Sequence, residues 1–269
     1  MYSFPEIILF GVFPLPLWGY VLYLLAMTHT TIITVTIYYH RSQAHRALDL
    51  HPAVTHFFRF WGWFTTSMNV KEWVSIHRKH HSKDDGPEDP HSPQVYGLWR
   101  IVFFGVERYY QAAKEPNLLM RYGHGTPKDR LERKLYSNRR GLMPFLGVGI
   151  LLLLNCILFG MIGILIWVLQ VLWIPFWAAG VINGLGHWPL FKRLLCYRNA
   201  EIKDRSANIL PWGIWIGGEE LHNNHHTDPV SAKLSVKWYE FDLGWVYIRL
   251  LEMLKLATVR QRVVRTDRT

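Results

Sequence analysis

The chain has 269 residues, 50% of them hydrophobic and 15% aromatic, and yet a formal net charge of +10. So much apolar sequence argues against a basic nucleic-acid-binding protein, and the 2 cysteines rule out a disulfide framework or a thiolate metal site. The composition fits an integral membrane protein whose polar parts face anionic lipid or an anionic substrate.

In chain order, MYSFPE lacks the basic stretch of a secretory signal and is kept as mature protein. Residues 7–39 carry no Asp, Glu, Lys or Arg, but Pro14 and Pro16 interrupt them early. This predicts a short re-entrant or incomplete helix over 6–17 and a full span over 18–39. Residues 53–70 are aromatic but contain Arg59 and His56, which predicts an interfacial or half-buried helix. Gly86 with Pro87, Pro90 and Pro93 marks a loop. Residues 142–191 are again uncharged, long enough for two spans of about 20 residues and a tight connection. Residues 245–258 place Arg249, Glu252 and Lys255 three apart, a polar stripe on an otherwise apolar surface helix.

Every Lys and Arg falls in 40–141 or 192–269, and two spans between these segments return the chain to one side. By the positive-inside rule that side is the cytoplasm. The expected architecture is all-α and membrane-integral, a single domain over 1–269. It has three to four transmembrane helices and a helical cytoplasmic cap.

Histidine clusters supply the chemistry. HRSQAH (40–45) emerges at a span end, and the pattern H-x-x-H-H occurs twice, as HRKHH (77–81) and HNNHH (222–226). On a helix, positions i, i+3 and i+4 lie near one face, so each H-x-x-H-H can aim three imidazoles at one point. His40 and His45, five apart, could reach different metals or share one. Eight imidazoles exceed the needs of one ion, so two metals are expected, and neutral imidazole suits Fe, Zn, Cu and Ni. Acidic residues are scarce near the boxes, which predicts an almost purely histidine site. His187 ends the last span with Asn183 four residues before it on the same face; His187 is a ninth candidate ligand and Asn183 a holder of metal-bound water. His29 reads as an inward packing residue, and His51, His56, His91 and His124, in or beside loops, as groups either at the surface or packed behind the ligands.

With these boxes, the sequence resembles the membrane fatty-acyl desaturases, the family that includes stearoyl-CoA desaturase. The family's H-x4-H, H-x2-H-H and H-x2-H-H boxes stand here in order, with EW at 72–73, DPH at 89–91 and NGLGH at 183–187 around them. The resemblance implies a di-iron centre ligated by His40, His45, His77, His80, His81, His187, His222, His225 and His226, with Asn183 bound through water. It implies that Trp73 lines an acyl tunnel where the chain bends. Before the third box the family usually has Gly-Glu-Gly-aromatic, whereas Gly218, Glu219, Glu220 and Leu221 stand here. Glu219 could orient a ligand imidazole.

The activity implied is O2-dependent insertion of a cis double bond, Δ9 on family grounds, into a saturated acyl chain on phospholipid or CoA. The compact chain looks bacterial, so the inner membrane is the expected location, with the metals on its cytoplasmic side. Zinc could replace iron in purified protein. Electrons are expected from a separate ferredoxin, cytochrome b5 or flavoprotein reductase. The carrier would rest on Arg139, Arg140, Lys192 or Arg193. The competing readings are a sibling alkyl hydroxylase or fatty-acid decarboxylase, and a non-enzymatic membrane metal carrier or sensor.

Overall fold

The computed structural model describes residues 4–137, 143–188 and 196–262. The carrier contacts expected at Arg139, Arg140, Lys192 and Arg193 therefore lie outside the described residues. The described chain is mostly helical, and two of its helices are long and apolar enough to cross a membrane: Leu17–Ala44 and Met143–Leu185.

A short helix α1 (Phe4–Phe10) precedes the prolines, and α2 (Leu17–Ala44) then runs unbroken through the expected span and past it. From Thr34 to Ala44 its winding widens to a π-helix, a form frequent at functional sites. β1 (Leu48–Leu50) follows. Helix α3 (Pro52–Thr66) starts with Pro52 in its first turn and His51 Nδ1 accepting the Ala53 N–H at 3.2 Å. α3 is half-buried as expected, but Arg59 is inside rather than at the surface. It donates to Asp129 Oδ2 at 2.6 Å and to Glu132 Oε2 at 3.0 Å. Asn69 then caps α4 (Val70–Lys83) by accepting the Glu72 N–H at 3.1 Å. Next comes α5 (Leu98–Ala113), packed along the second half of α6 (Met143–Leu185).

α6 is one helix by hydrogen bonding but a hairpin in space. Gly160 breaks it at φ 58°, ψ −136°. The arms then run side by side: Trp167 Nε1 donates to Val148 O at 2.8 Å, and Asn155 Nδ2 to Gln170 Oε1 at 2.8 Å. At Gly163 a Cβ would stand 2.0 Å from Asn155 O, so only glycine permits this approach. The break frees carbonyls that need donors in an apolar setting. The loop after α1 supplies them, Val12 N–H to Ile157 O at 3.0 Å and Phe13 N–H to Leu158 O at 2.9 Å. Tyr23 ties α2 to the hairpin through its hydroxyl on Asn155 Oδ1 at 2.8 Å.

After Cys196 the chain is less regular: β2 (Trp212–Gly213), the short helix α7 (His222–Thr227), β3 (Phe241–Asp242), α8 (Leu243–Met253) and β4 (Ala257–Val259). β2 pairs with β3 in parallel, and β1 with β4 antiparallel in the register Leu48↔Val259. The helix expected over 245–258 thus stops early. Lys255 takes φ 59° and the Leu256 N–H turns back onto Leu251 O at 2.7 Å, which ends the helix and releases β4 to pair. Both cysteines are free.

Candidate metal centre

Nine imidazoles meet where the π segment of α2, α4, α7 and the end of α6 converge, and they form two groups. His40, His45, His77, His81 and His225 make one, and His80, His187, His222 and His226 the other; within each, the ring nitrogens lie within 4.8 Å of one another.

Helical geometry explains the division. At about 100° per residue, i+4 lies about 40° from i, whereas i+3 lies about 60° away on the other side. His77 and His81 therefore enter the first group together and His80 the second. In the third box His222 and His226 enter the second group together, and His225 the first. The expectation that each box aims all three rings at one point is thus corrected: each box splits two to one, in opposite senses, and the pair stitches both groups together. Winding settles His40 and His45. On an α-helix they would be about 140° apart. On the π-helix the His45 N–H bonds to His40 O at 3.1 Å, so five residues make little more than one turn and both rings join the first group.

In the first group every inward atom is Nε2. The contacts are 2.8 Å for His45–His77, 2.9 Å for His81–His225, and 3.1 Å for His40–His225 and His77–His81. Two nitrogens at right angles on one ion, with bonds of about 2.1 Å, sit about 3.0 Å apart. Hydrogen bonds account for the cluster less well, because a ring nitrogen either donates or accepts and His81 would have to split one proton between two neighbours. In the second group His187 and His222 Nε2 are 2.9 Å apart. His80 Nε2 and His226 Nε2 are buried with no hydrogen-bond partner among the described residues. Burial holds His45, His77, His81, His222 and His225 well below the ordinary imidazole range, keeping them in the neutral form that binds metal. Both groups fit metal ions.

The outer nitrogens correct a second expectation, that carboxylates are scarce here. Glu219 Oε1 lies 2.8 Å from His40 Nδ1 and accepts the Thr36 hydroxyl at 2.6 Å. Asp89 Oδ2 lies 2.9 Å from His80 Nδ1, Asp85 Oδ2 3.1 Å from His187 Nδ1, and Asp204 Oδ2 3.1 Å from His226 Nδ1. Burial alone would push His226 down, but Asp84 and Asp204 outweigh it and raise the basicity of its ring, so an ion bound there would displace its Nε2 proton. The sequence signal was present in KDDGPEDPH directly after the second box; Asp204 had none.

Asn223 and Asn224, the two residues between the histidines of the third box, carry no signal in the sequence pattern. Asn224 uses its whole amide. Nδ2 donates to Leu234 O and Glu240 Oε2, both at 2.9 Å, and Oδ1 accepts from Asn199 at 2.8 Å and Asn208 at 3.0 Å. Asn223 Oδ1 takes the N–H groups of Asn199 and Ala200 at 2.9 and 3.0 Å. These bonds hold a six-residue helix too short to be stable by itself. Arg41 fixes the end of α2 against the same region. It is 1% exposed, meets Asp242 at 2.9 and 3.2 Å, and donates to Gly217 O and Ala232 O.

A largely apolar cavity of about 410 Å³ runs from these rings between α5 and the two arms of α6. His40, His77, His222, Glu219 and Asn183 line its inner end, and Trp73 is in its wall, stacked on His77 at 4.9 Å. Asn183 is thus at the cavity beside the second group. His29 bonds the Tyr247 hydroxyl at 2.8 Å, and His91 takes the second of its two expected places, packed behind His80 with ring centroids 4.4 Å apart.

A family model described as fatty acid desaturase matches residues 16–259. The chain is 31% identical over 239 residues to Delta-9 desaturase-like 3 protein of Arabidopsis thaliana, covering 85% of this chain and 72% of that one. It is 30% identical over 231 residues to Delta-9 acyl-lipid desaturase 1 of the same plant, covering 83% and 69%. It is 26% identical over 230 residues to sn-1 stearoyl-lipid 9-desaturase of Anabaena variabilis, covering 83% and 77%.

Proposed function

This chain belongs to the fatty acid desaturase family, and from that premise we propose that it inserts a cis Δ9 double bond into a saturated acyl chain carried on membrane lipid. The reaction uses O2 at a di-iron centre held by the nine clustered histidines. One observation carries the reading: two convergent imidazole groups stand at the inner end of an apolar cavity large enough for a stretch of acyl chain. The position and carrier are taken from the relatives' names, Delta-9 acyl-lipid and stearoyl-lipid 9-desaturase.

The target is an unactivated methylene, beyond the reach of any side-chain acid or base, and two bound irons supply the oxidative C–H chemistry. The protein's part is positioning. The cavity wall orients the chain and excludes water, with Trp73 setting its path past His77. Buried Nε2 atoms hold the ions, and Asn183 faces the same space. Glu219, Asp85, Asp89 and Asp204 orient the rings from behind.

Three crossings, by α2 and the two arms of α6, are proposed, and the charge distribution of the sequence supports a cytoplasmic side for the rings at a bacterial inner membrane. The proposed electron source is a separate donor, a ferredoxin, cytochrome b5 or flavoprotein reductase; the 2 cysteines of this sequence are fewer than the four thiolates an iron–sulfur cluster takes. Expression in a bacterium without internal cis alkenes tests the reading. A new cis monoene in phospholipid, absent with H80A/H225A, is expected. A monoene appearing first in the acyl-CoA pool would refute the lipid carrier. A hydroxylated or one-carbon-shorter product would replace desaturation with the sibling chemistry.

A further inference from the structure

The two imidazole groups differ in what stands behind them. Three of the four rings in the second group have a carboxylate at Nδ1: Asp89 on His80 at 2.9 Å, Asp85 on His187 at 3.1 Å and Asp204 on His226 at 3.1 Å. Asp84 adds a fourth, its Oδ2 3.3 Å from His226 Nδ1 and its Oδ1 3.4 Å from His80 Nε2. These carboxylates are themselves held. Asp85 accepts the Arg205 N–H and the Ser92 hydroxyl, Asp89 the Asp85 N–H, and Asp204 the Ser206 N–H. In the first group, among the described residues, only His40 has a carboxylate in ion-pair contact, Glu219, with Arg41 Nε 3.9 Å from that same oxygen, and Asp84 is shared, clustering within 4.8 Å with His81 as well as His226.

A carboxylate behind a ligand imidazole raises its basicity and fixes its ring, and losing one such partner lowers metal affinity about 10–100-fold. In a buried site, nearby negative charge also compensates the charge of the ion. The first group has one more nitrogen, but the second has two more carboxylates of its own, Asp85, Asp89 and Asp204 against Glu219, and these outweigh it.

We propose that the two groups are unequal ion sites: His80, His187, His222 and His226 form the tight one, with Asp85, Asp89 and Asp204 as its positioning residues, and His40, His45, His77, His81 and His225 form the exchangeable one. This rests on the proposed function only in taking both groups as metal sites.

Zinc(II) is the probe, since it does not change oxidation state. The purified full chain, loaded with zinc, is exposed to excess chelator, and bound zinc is followed by mass spectrometry. Two phases of one ion each are expected, at least tenfold apart in rate. His225→Ala removes the fast phase and His222→Ala the slow one. Asp89→Asn or Asp204→Asn, close in shape to the native residue, speeds the slow phase at least tenfold and leaves the fast phase alone, and Asp204→Glu partly restores it. Glu219→Gln speeds only the fast phase. With cobalt(II) in place of zinc, Asp89→Asn shifts the visible bands of the slow ion alone, which a general loss of stability would not do. Release in a single phase, or equal acceleration of both phases by the Asn variants, overturns the inference and leaves the proposed function standing. A chain that takes up no ion overturns both.

Discussion

Arg41 is the residue whose loss should damage the fold most while touching no substrate. It sits beside His40, is 1% exposed, and joins the end of α2 to the segment carrying the third box. Its guanidinium meets both oxygens of Asp242, at 2.9 and 3.2 Å, and donates to Gly217 O at 2.9 Å and Ala232 O at 3.0 Å. Arg41→Met keeps the length of the stem and removes every one of these donors. Asp242, 3% exposed, would remain buried with, among the described residues, only the N–H groups of Leu234 and Trp245, at 2.7 and 2.9 Å, to solvate its charge. Breaking one side of a buried pair in this way costs about 3–5 kcal/mol. At about 2–4 °C per kcal/mol, the thermal midpoint should fall by roughly 6–20 °C. The assay is fluorescence-monitored unfolding in mild detergent, with Asp242→Asn and the double variant completing a cycle. The two single losses should not add, because each removes the same contact. A fall of under about 3 °C for R41M, or strictly additive singles, would refute the reasoning.

Three further outcomes follow from the same geometry. Asn224→Ala strands several buried partners at about 1–3 kcal/mol each, so the short helix loosens and zinc retention should drop in both ion phases; retention at the native level would contradict the anchoring role. Trp73→Ala removes a cavity wall and the stack on His77 at 4.9 Å; the product should spread over more than one double-bond position, while a single unchanged position would show that Trp73 does not set the path. The Arg59 guanidinium beside Asp129 holds its carboxyl well below the usual carboxylate range. A depressed folded value means the contribution is present above about pH 4 and is lost as pH falls below it. Asp129 is 46% exposed on its side chain, so solvent screening limits this to about 1 kcal/mol or less. Asp129→Asn should therefore lower stability by about 1 kcal/mol or less at about pH 5 and above and by progressively less in acid, flattening the acid limb, and a loss that grows as pH falls would contradict it.

Legibility followed the physical range of each signal. The apolar stretches were plain because hydrocarbon thickness sets a length that charge-free sequence displays directly. Their hairpin depends on a left-handed Gly160, one glycine among several in the same run. All nine imidazoles were named from spacing and resemblance. Their division into groups came from angles, with the π winding at 34–44 deciding His40 and His45, and an extra residue per turn leaves no mark in composition. Asp204 reaches His226 only through tertiary folding of a loop, and Asn224 works through partners as distant as Asn199 and Glu240. The early end of α8 followed from pairing with β1, more than 200 positions upstream, which no local pattern could show.

The measurement that bears most directly on a di-iron desaturase is a defined reaction: the iron-loaded chain in vesicles of stearoyl phospholipid, with a reduced ferredoxin and O2. Product chains are cleaved at the double bond and weighed. The account predicts an 18-carbon cis monoene broken between carbons 9 and 10, formed only when iron and O2 are both supplied and absent with H80A/H225A. A product of equal yield without O2, or from zinc-loaded protein, would contradict it.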